Sequence, residues 1–130
     1  MMSLIRSFAI SASALTAERY RMDVISTNLA NANTIRTNNQ EPYKRKFVVL
    51  ASEGEGVRIQ TTAEDNSPFR VVYEPGNPFA DAEGNITYSN VNPLTEMVDL
   101  ISASRAYEAN LQAFNLTKQM IQAALDIGRI

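Results

Sequence analysis

The side chains best equipped for chemistry in this chain are a few carboxylates and a short basic run. Glu53, Glu55, Glu64 and Asp65 fall close together, and a pair of them could in principle share acid–base work, but no partner base lies in view. Histidine and cysteine are both absent, which removes the commonest general base, the commonest metal ligand, thiolate chemistry and disulfides. DAEGN at 81–85 has the look of part of a calcium loop; it lacks the ligand spacing and the closing glutamate, so it reads as a turn. Lys44, Arg45 and Lys46 could bind an acid or a phosphate, or simply alternate toward solvent and protect a strand edge. Neither a phosphate-cradling glycine loop nor a nucleophile motif is present. The expectation is a chain that is not an enzyme and needs no cofactor and no metal.

Two amide-bearing stretches stand out instead. STNLANANT at 26–34 crowds Asn28, Asn31 and Asn33 around Leu29, where a helical pattern gives way to strand-like sequence. Asparagine tolerates a helix end and caps loose carbonyls. Three amides exceed what a stop requires, and uncharged donors and acceptors suit a crowded junction between subunits. SRAYEAN at 104–110 sets Tyr107 in an apolar seam while Arg105, Glu108 and Asn110 are expected to point elsewhere. Arg105 and Glu108, three apart, can pair locally on one face or meet a partner.

Three zones must position these groups. From Ser3 to about Ala32, Phe8, Leu15, Met22 and Leu29 recur every seven residues, and no proline or glycine interrupts them. That spacing predicts a long amphipathic helix of coiled-coil type. Asn92-Pro93 then opens a second helix, with a capping amide followed by proline at the first helical position. Glu96 lies in its first turn, where the helix dipole favours a carboxylate. Leu100, Tyr107, Phe114 and Ile121 again recur every seven, and the helix should end near Gly128. Between them, YKRKFVVL (43–50), VRIQTT (57–62), FRVVYE (69–74) and NITYS (85–89) read as short strands separated by glycine and proline turns. The expected fold class is therefore α+β: an N-terminal helix (1–34), a small β-rich module (35–91) and a C-terminal helix (92–130).

The helices would span roughly 40–55 Å, more than so small a module can cover. Their outer faces lack the Glu–Lys pairs of a solvated helix; Ser102, Ala103, Ser104, Ala106, Asn110, Gln112, Ala113, Asn115, Thr117, Gln119 and Ala124 are small or uncharged. Such residues allow close approach without burying charge. A bland helical hairpin would show the same composition, but the N-terminal AISASALTA repeats the habit, which favours crowding on more than one side. The net charge of −2 gives no reason to expect nucleic acid. No apolar run is long enough to cross a bilayer, and Glu18 and Asp23 offset Arg6, Arg19 and Arg21, which argues against direct membrane insertion or surface binding. The start of the chain faintly suggests a secretory signal, but the helical spacing runs on through Met22, Ile25 and Leu29, so the segment is expected to stay on.

Taken together and in order, ISASALTAERYRMDVISTNLANANTIRT, EPYKRKFVV, SPFRVVYEPGNP, EGNITYSNVNPLTEMVDLISASRAYEAN and ALDIGR resemble the flagellar basal-body rod proteins over nearly the whole chain. The resemblance implies a structural subunit that stacks with copies of itself and other rod proteins into a hollow drive shaft across the periplasm, transmitting torque. It implies that the terminal helices pair as a coiled coil, Phe8, Leu15, Met22 and Leu29 meeting Leu100, Tyr107, Phe114 and Ile121, with the middle facing outward. It also implies export by the flagellar type III apparatus without signal cleavage, with Phe8 to Ala12 as an export element. The competing class is a soluble coiled-coil adaptor that forms a discrete oligomer.

Overall fold

The computed structural model describes residues 2–129. A helix, α1, runs over Met2–Ala30, and a second, α2, over Pro93–Gly128. Four strands lie between them: β1 (Lys46–Glu53), β2 (Gly56–Glu64), β3 (Arg70–Tyr73) and β4 (Asn85–Tyr88).

Nothing in the sequence of α1 breaks a helix until the amide cluster. There the Asn31 N–H is shared between the carbonyls of Thr27 and Asn28, each at 3.2 Å, and Ala32 donates to Leu29. The last turn tightens and the chain leaves two residues earlier than the apolar spacing suggests. The start of α2 follows its sequence signature. Asn92 is extended, its side-chain oxygen accepts from the N–H groups of Leu94 (3.1 Å) and Thr95 (3.4 Å), and Pro93 occupies the first turn.

The two helices pack antiparallel and, among the named elements, α2 packs on α1 alone. Asn28 meets Glu96 near one end of the pair (3.1 Å), and further along Phe8 stacks on Phe114 with ring centroids 4.1 Å apart. All eight seam residues, Phe8, Leu15, Met22, Leu29, Leu100, Tyr107, Phe114 and Ile121, are half-buried. Most helix positions sealed from solvent are smaller or polar, Ala17, Asn28, Glu96, Ala103 and Thr117, with Ile25 the one large apolar residue among them. This corrects one expectation. Ala103 and Thr117 belong to the inner stripe of α2 and let the helix backbones approach, so part of the small-residue pattern serves the chain's own packing. The other side of α2 leaves Leu94, Met97, Val98, Ile101, Leu116 and Met120 exposed.

The region between the helices is not one sheet but two. β1 and β2 form an antiparallel hairpin, with a register break after Val49 and a tight turn through Gly54 at φ +61°. This hairpin lies along α1, where Ser13 Oγ accepts from Val57 N–H (3.2 Å) and Tyr20 hydrogen-bonds Thr62 through their hydroxyls (2.8 Å). β3 and β4 form a second antiparallel pair, and DAEGN is the turn before β4: Asp81 accepts from the N–H groups of Glu83 and Asn85 while Gly84 takes φ +83°. The β3–β4 lobe packs on no other named element. It is joined through a bridge between Ile35 and Tyr88 and through the loop residues around it. Residues 43–45, expected to open the first strand, are extended but pair with no strand; β1 starts at Lys46.

Candidate functional site

The most highly connected side chains lie where the end of α1, the segment before β1 and the first turn of α2 converge. Asn28 is completely buried and uses its whole amide. Its Nδ2 donates to the Lys46 carbonyl (2.8 Å) and to Glu96 Oε2 (3.1 Å). Its Oδ1 accepts from Lys46 N–H (3.0 Å) and from the Tyr43 hydroxyl (2.8 Å). One amide therefore stands in for a strand partner to Lys46 and ties two helix ends together.

Residues 43–46 form a strap whose backbone is held largely by side chains. Tyr43 N–H donates to Thr34 Oγ1 (2.9 Å), and Ser89 Oγ donates to the Tyr43 carbonyl (2.6 Å). Arg45 N–H donates to Asn90 Oδ1 (2.7 Å), while the Arg45 carbonyl accepts from Asp65 N–H (2.8 Å). Asn90 in turn donates to the carbonyls of Asp65 (2.9 Å) and Ser67 (3.0 Å). Such bonds satisfy an extended segment without a ladder, which is why the alternating pattern of 43–45 did not produce a strand.

Arg45 carries the charge of the joint. It does not sit on a solvated edge; it turns inward to Glu96, which is fully buried, and to Asp65 (3.4 Å) and Asp99 (3.7 Å). Burial opposes charge on Arg45, but hydrogen bonding and the field of Glu96, reinforced by Asp65, outweigh it and hold the guanidinium above its ordinary value. Burial, with Glu96 and Glu64 nearby, raises the Tyr43 phenol, so it stays a neutral donor to Asn28. The Ser67 hydroxyl and N–H, then Arg45, hold Asp65 below the ordinary aspartate value. Among the described residues no buried side-chain polar atom lacks a partner. The arrangement is a satisfied ion-pair network suited to fixing geometry.

The amide motif of α1 therefore divides. Asn28 is internal, Asn31 bonds back to the Thr27 carbonyl (2.9 Å) at the helix end, and Asn33 is exposed beside Pro68 and Arg70. In α2, Arg105 and Glu108 are exposed with Leu100, Ile101 and Ser104 around them, and no ion pair joins the two. Asn110 differs from its expected outward placement. It lies half-buried on the inner stripe, and its amide donates to the Ala106 carbonyl (2.8 Å). Of the mid-chain carboxylates, Glu53, Glu55 and Glu64 are exposed, Glu55 facing Arg6 at 3.5 Å.

The joining of Arg45, Tyr43 and Glu96 in one site escaped the sequence reading, although a signal was present. Glu96 precedes Leu100, Ala103 and Tyr107 at the 4-3-4 spacing of the inner stripe, and a carboxylate there demands a buried cation. Alternation along YKRK turns Tyr43 and Arg45 to one side and Lys44 and Lys46 to the other.

Similarity to known proteins follows the same parts of the chain. The family described as "Flagella basal body rod protein" matches residues 8–36, from the helical seam through the amide cluster. That described as "Flagellar basal body rod FlgEFG protein C-terminal" matches residues 82–127, β4 and nearly all of α2. The flagellar basal-body rod protein FlgC of Bacillus subtilis (strain 168) is 47% identical, with 98% of this chain and 100% of that protein covered. FlgC of Yersinia enterocolitica is 41% identical with the same coverage, and that of Borreliella burgdorferi is 38% identical over 97% of this chain and 98% of its own length. Kinship of that degree spans both helices, both sheets and the joint, so the chain belongs to the flagellar basal-body rod protein family, in its FlgC branch.

Proposed function

We propose that this chain polymerises with copies of itself and with other rod proteins into the hollow shaft that carries motor torque across the periplasm. Its role as a structural subunit of the bacterial flagellar basal-body rod follows from whole-length kinship with FlgC proteins. The observation that carries the finer reading is the unpartnered apolar side of α2, with Leu94, Val98, Ile101 and Leu116 exposed opposite the stripe that packs on α1. A helix with apolar residues on both sides needs a second neighbour, and a subunit packed among others supplies one. The contribution is geometric and not catalytic.

Export through the flagellar type III apparatus without cleavage is part of the same reading. The continuity of α1 from Met2 to Ala30 supports it, since removal of a leader would cut into the helix that packs on α2. The deciding experiment is deletion of the gene followed by electron microscopy of isolated basal bodies. Absence of complete rods, restored by the intact gene, is expected. Normal rods in the deletion strain, together with one fixed oligomer mass of the purified chain by light scattering, would identify a soluble coiled-coil adaptor instead.

A further inference from the structure

The joint around Glu96 has a directional logic. The two oxygens of this fully buried carboxylate are held from two other segments, one by Arg45 of the strap and one by Asn28 of α1 (3.1 Å). If α2 seats on α1 before the strap is in place, Glu96 loses its cation and is buried with one amide donor. That state is strongly disfavoured, because a buried charge needs an opposite charge and filled hydrogen bonds.

The reverse order carries no such penalty. With α2 withdrawn, the strap keeps its bonds to Thr34, Ser89, Asn90 and Asp65, none of which lies in α2. Asn28 keeps three of its four partners, Tyr43 and both backbone groups of Lys46. Arg45 keeps Asp65. Only Glu96 and Asp99 come from α2, and on withdrawal both return to water.

We propose that the joint is an interlock: the first turns of α2 close onto α1 only after the 43–46 strap has been fixed by side chains of α1 and of the loops. The buried Glu96 enforces the order. The helix pair, which carries the outward apolar surface, is thereby completed only when the intervening region is already seated. This concerns the folding of the chain itself and does not depend on what the chain assembles with.

Amide hydrogen exchange of the full-length chain tests it. The Tyr43, Arg45 and Lys46 amides should be at least as protected as those of residues 97–104, because any opening that frees the strap must also free α2. In Arg45→Ala the 97–104 amides should exchange about tenfold faster or more, the scale expected when a buried polar group loses its partner. Adding Glu96→Leu removes the charge that needs the strap, so protection of 97–104 should return. Should Arg45→Ala fail to fold, Glu96→Leu in the parent chain serves alone: the α2 amides should become more protected than the strap amides, inverting the parental order. The interlock is overturned if 97–104 are already the better protected in the parent, if the Lys46 amide is unprotected there, or if Glu96→Leu neither restores protection nor inverts the order.

Discussion

Replacing Gly56 by alanine would measure how tightly the β1–β2 hairpin is seated on α1. The new Cβ would stand 2.7 Å from Ser13 Oγ and 3.4 Å from Ser13 Cβ. An ordinary carbon–oxygen contact begins at about 3.3 Å, so about 0.6 Å must be found. Ser13 cannot give freely, since its hydroxyl donates to the Ile10 carbonyl (2.7 Å) and accepts from Val57 N–H (3.2 Å). If the hydroxyl turns away, the half-buried Val57 N–H loses its partner, at about 1 kcal/mol. If the hairpin lifts instead, overpacking costs about 1–3 kcal/mol. Alanine restricts the unfolded chain and returns about 0.4–1 kcal/mol.

The net expectation is a loss of about 0–2.6 kcal/mol, the turned hydroxyl giving the low end, or a fall in Tm of up to about 10 °C for a chain of this size. Ser13→Ala alone should lose about 1 kcal/mol. In the double variant the offending oxygen is gone and the nearest Ser13 atom is the Cβ at 3.4 Å. It should therefore be no less stable than Gly56→Ala alone, a coupling of about 1 kcal/mol in a double-mutant cycle. Urea and thermal unfolding followed by circular dichroism supply the four corners. Strict additivity, or a Gly56→Ala chain more stable than the parent, would refute the close seating of the hairpin.

Three further outcomes follow from the joint and the seam. Asn28→Leu leaves both Lys46 backbone groups and a Glu96 oxygen without a partner and should cost about 3–6 kcal/mol, whereas Asn31→Leu, which loses one bond to its own helix, should stay within about 0.5 kcal/mol; chemical denaturation of the two side by side decides whether the amides differ as described. Leu15→Asp and Phe114→Asp each put a carboxylate into the half-buried seam, the second also abolishing the ring contact with Phe8, and should prevent rod assembly and swimming; soft-agar motility equal to the parent would contradict this. Because the Asp65 pKa is lowered in the folded chain, its stabilisation is complete above the unfolded aspartate value and is lost as pH falls through the lower folded one. Asp65→Asn should therefore flatten part of the acid limb of a pH–stability profile, and an unchanged limb would count against the Ser67 and Arg45 contacts.

What could be read from the sequence was whatever depends on neighbours along the chain. The helical periodicity of α1 and α2, the Asn92–Pro93 start and the Gly84 turn are local in this sense, and each appears in the structure, α1 ending two residues short of its apolar spacing. Phe8 and Phe114 are found in contact, but their partnership needed the antiparallel register, which no single heptad encodes. The strap was misread because YKRK alternates as a strand does, while its partners are the side chains of Thr34, Ser89, Asn90 and Asn28, scattered over sixty-three positions, 28 to 90. Glu96 was assigned to the helix dipole for the same reason: its true counterion lies 51 residues away. The division of 35–91 into two sheets likewise rests on which hairpin finds α1, and Ser13 and Gly56 gave no local sign of that.

The separate attachment of the β3–β4 lobe bears on how such a chain can diversify. The backbone enters the lobe at Arg70 and leaves it at Tyr88, and these two residues are paired neighbours. A segment whose ends are adjacent can be lengthened, shortened or exchanged for another fold while the rest of the chain keeps its geometry. The helices and the polar joint would then form a constant base, and the lobe a replaceable piece. Variation in surface chemistry among related subunits could be written there without altering how their helices pack.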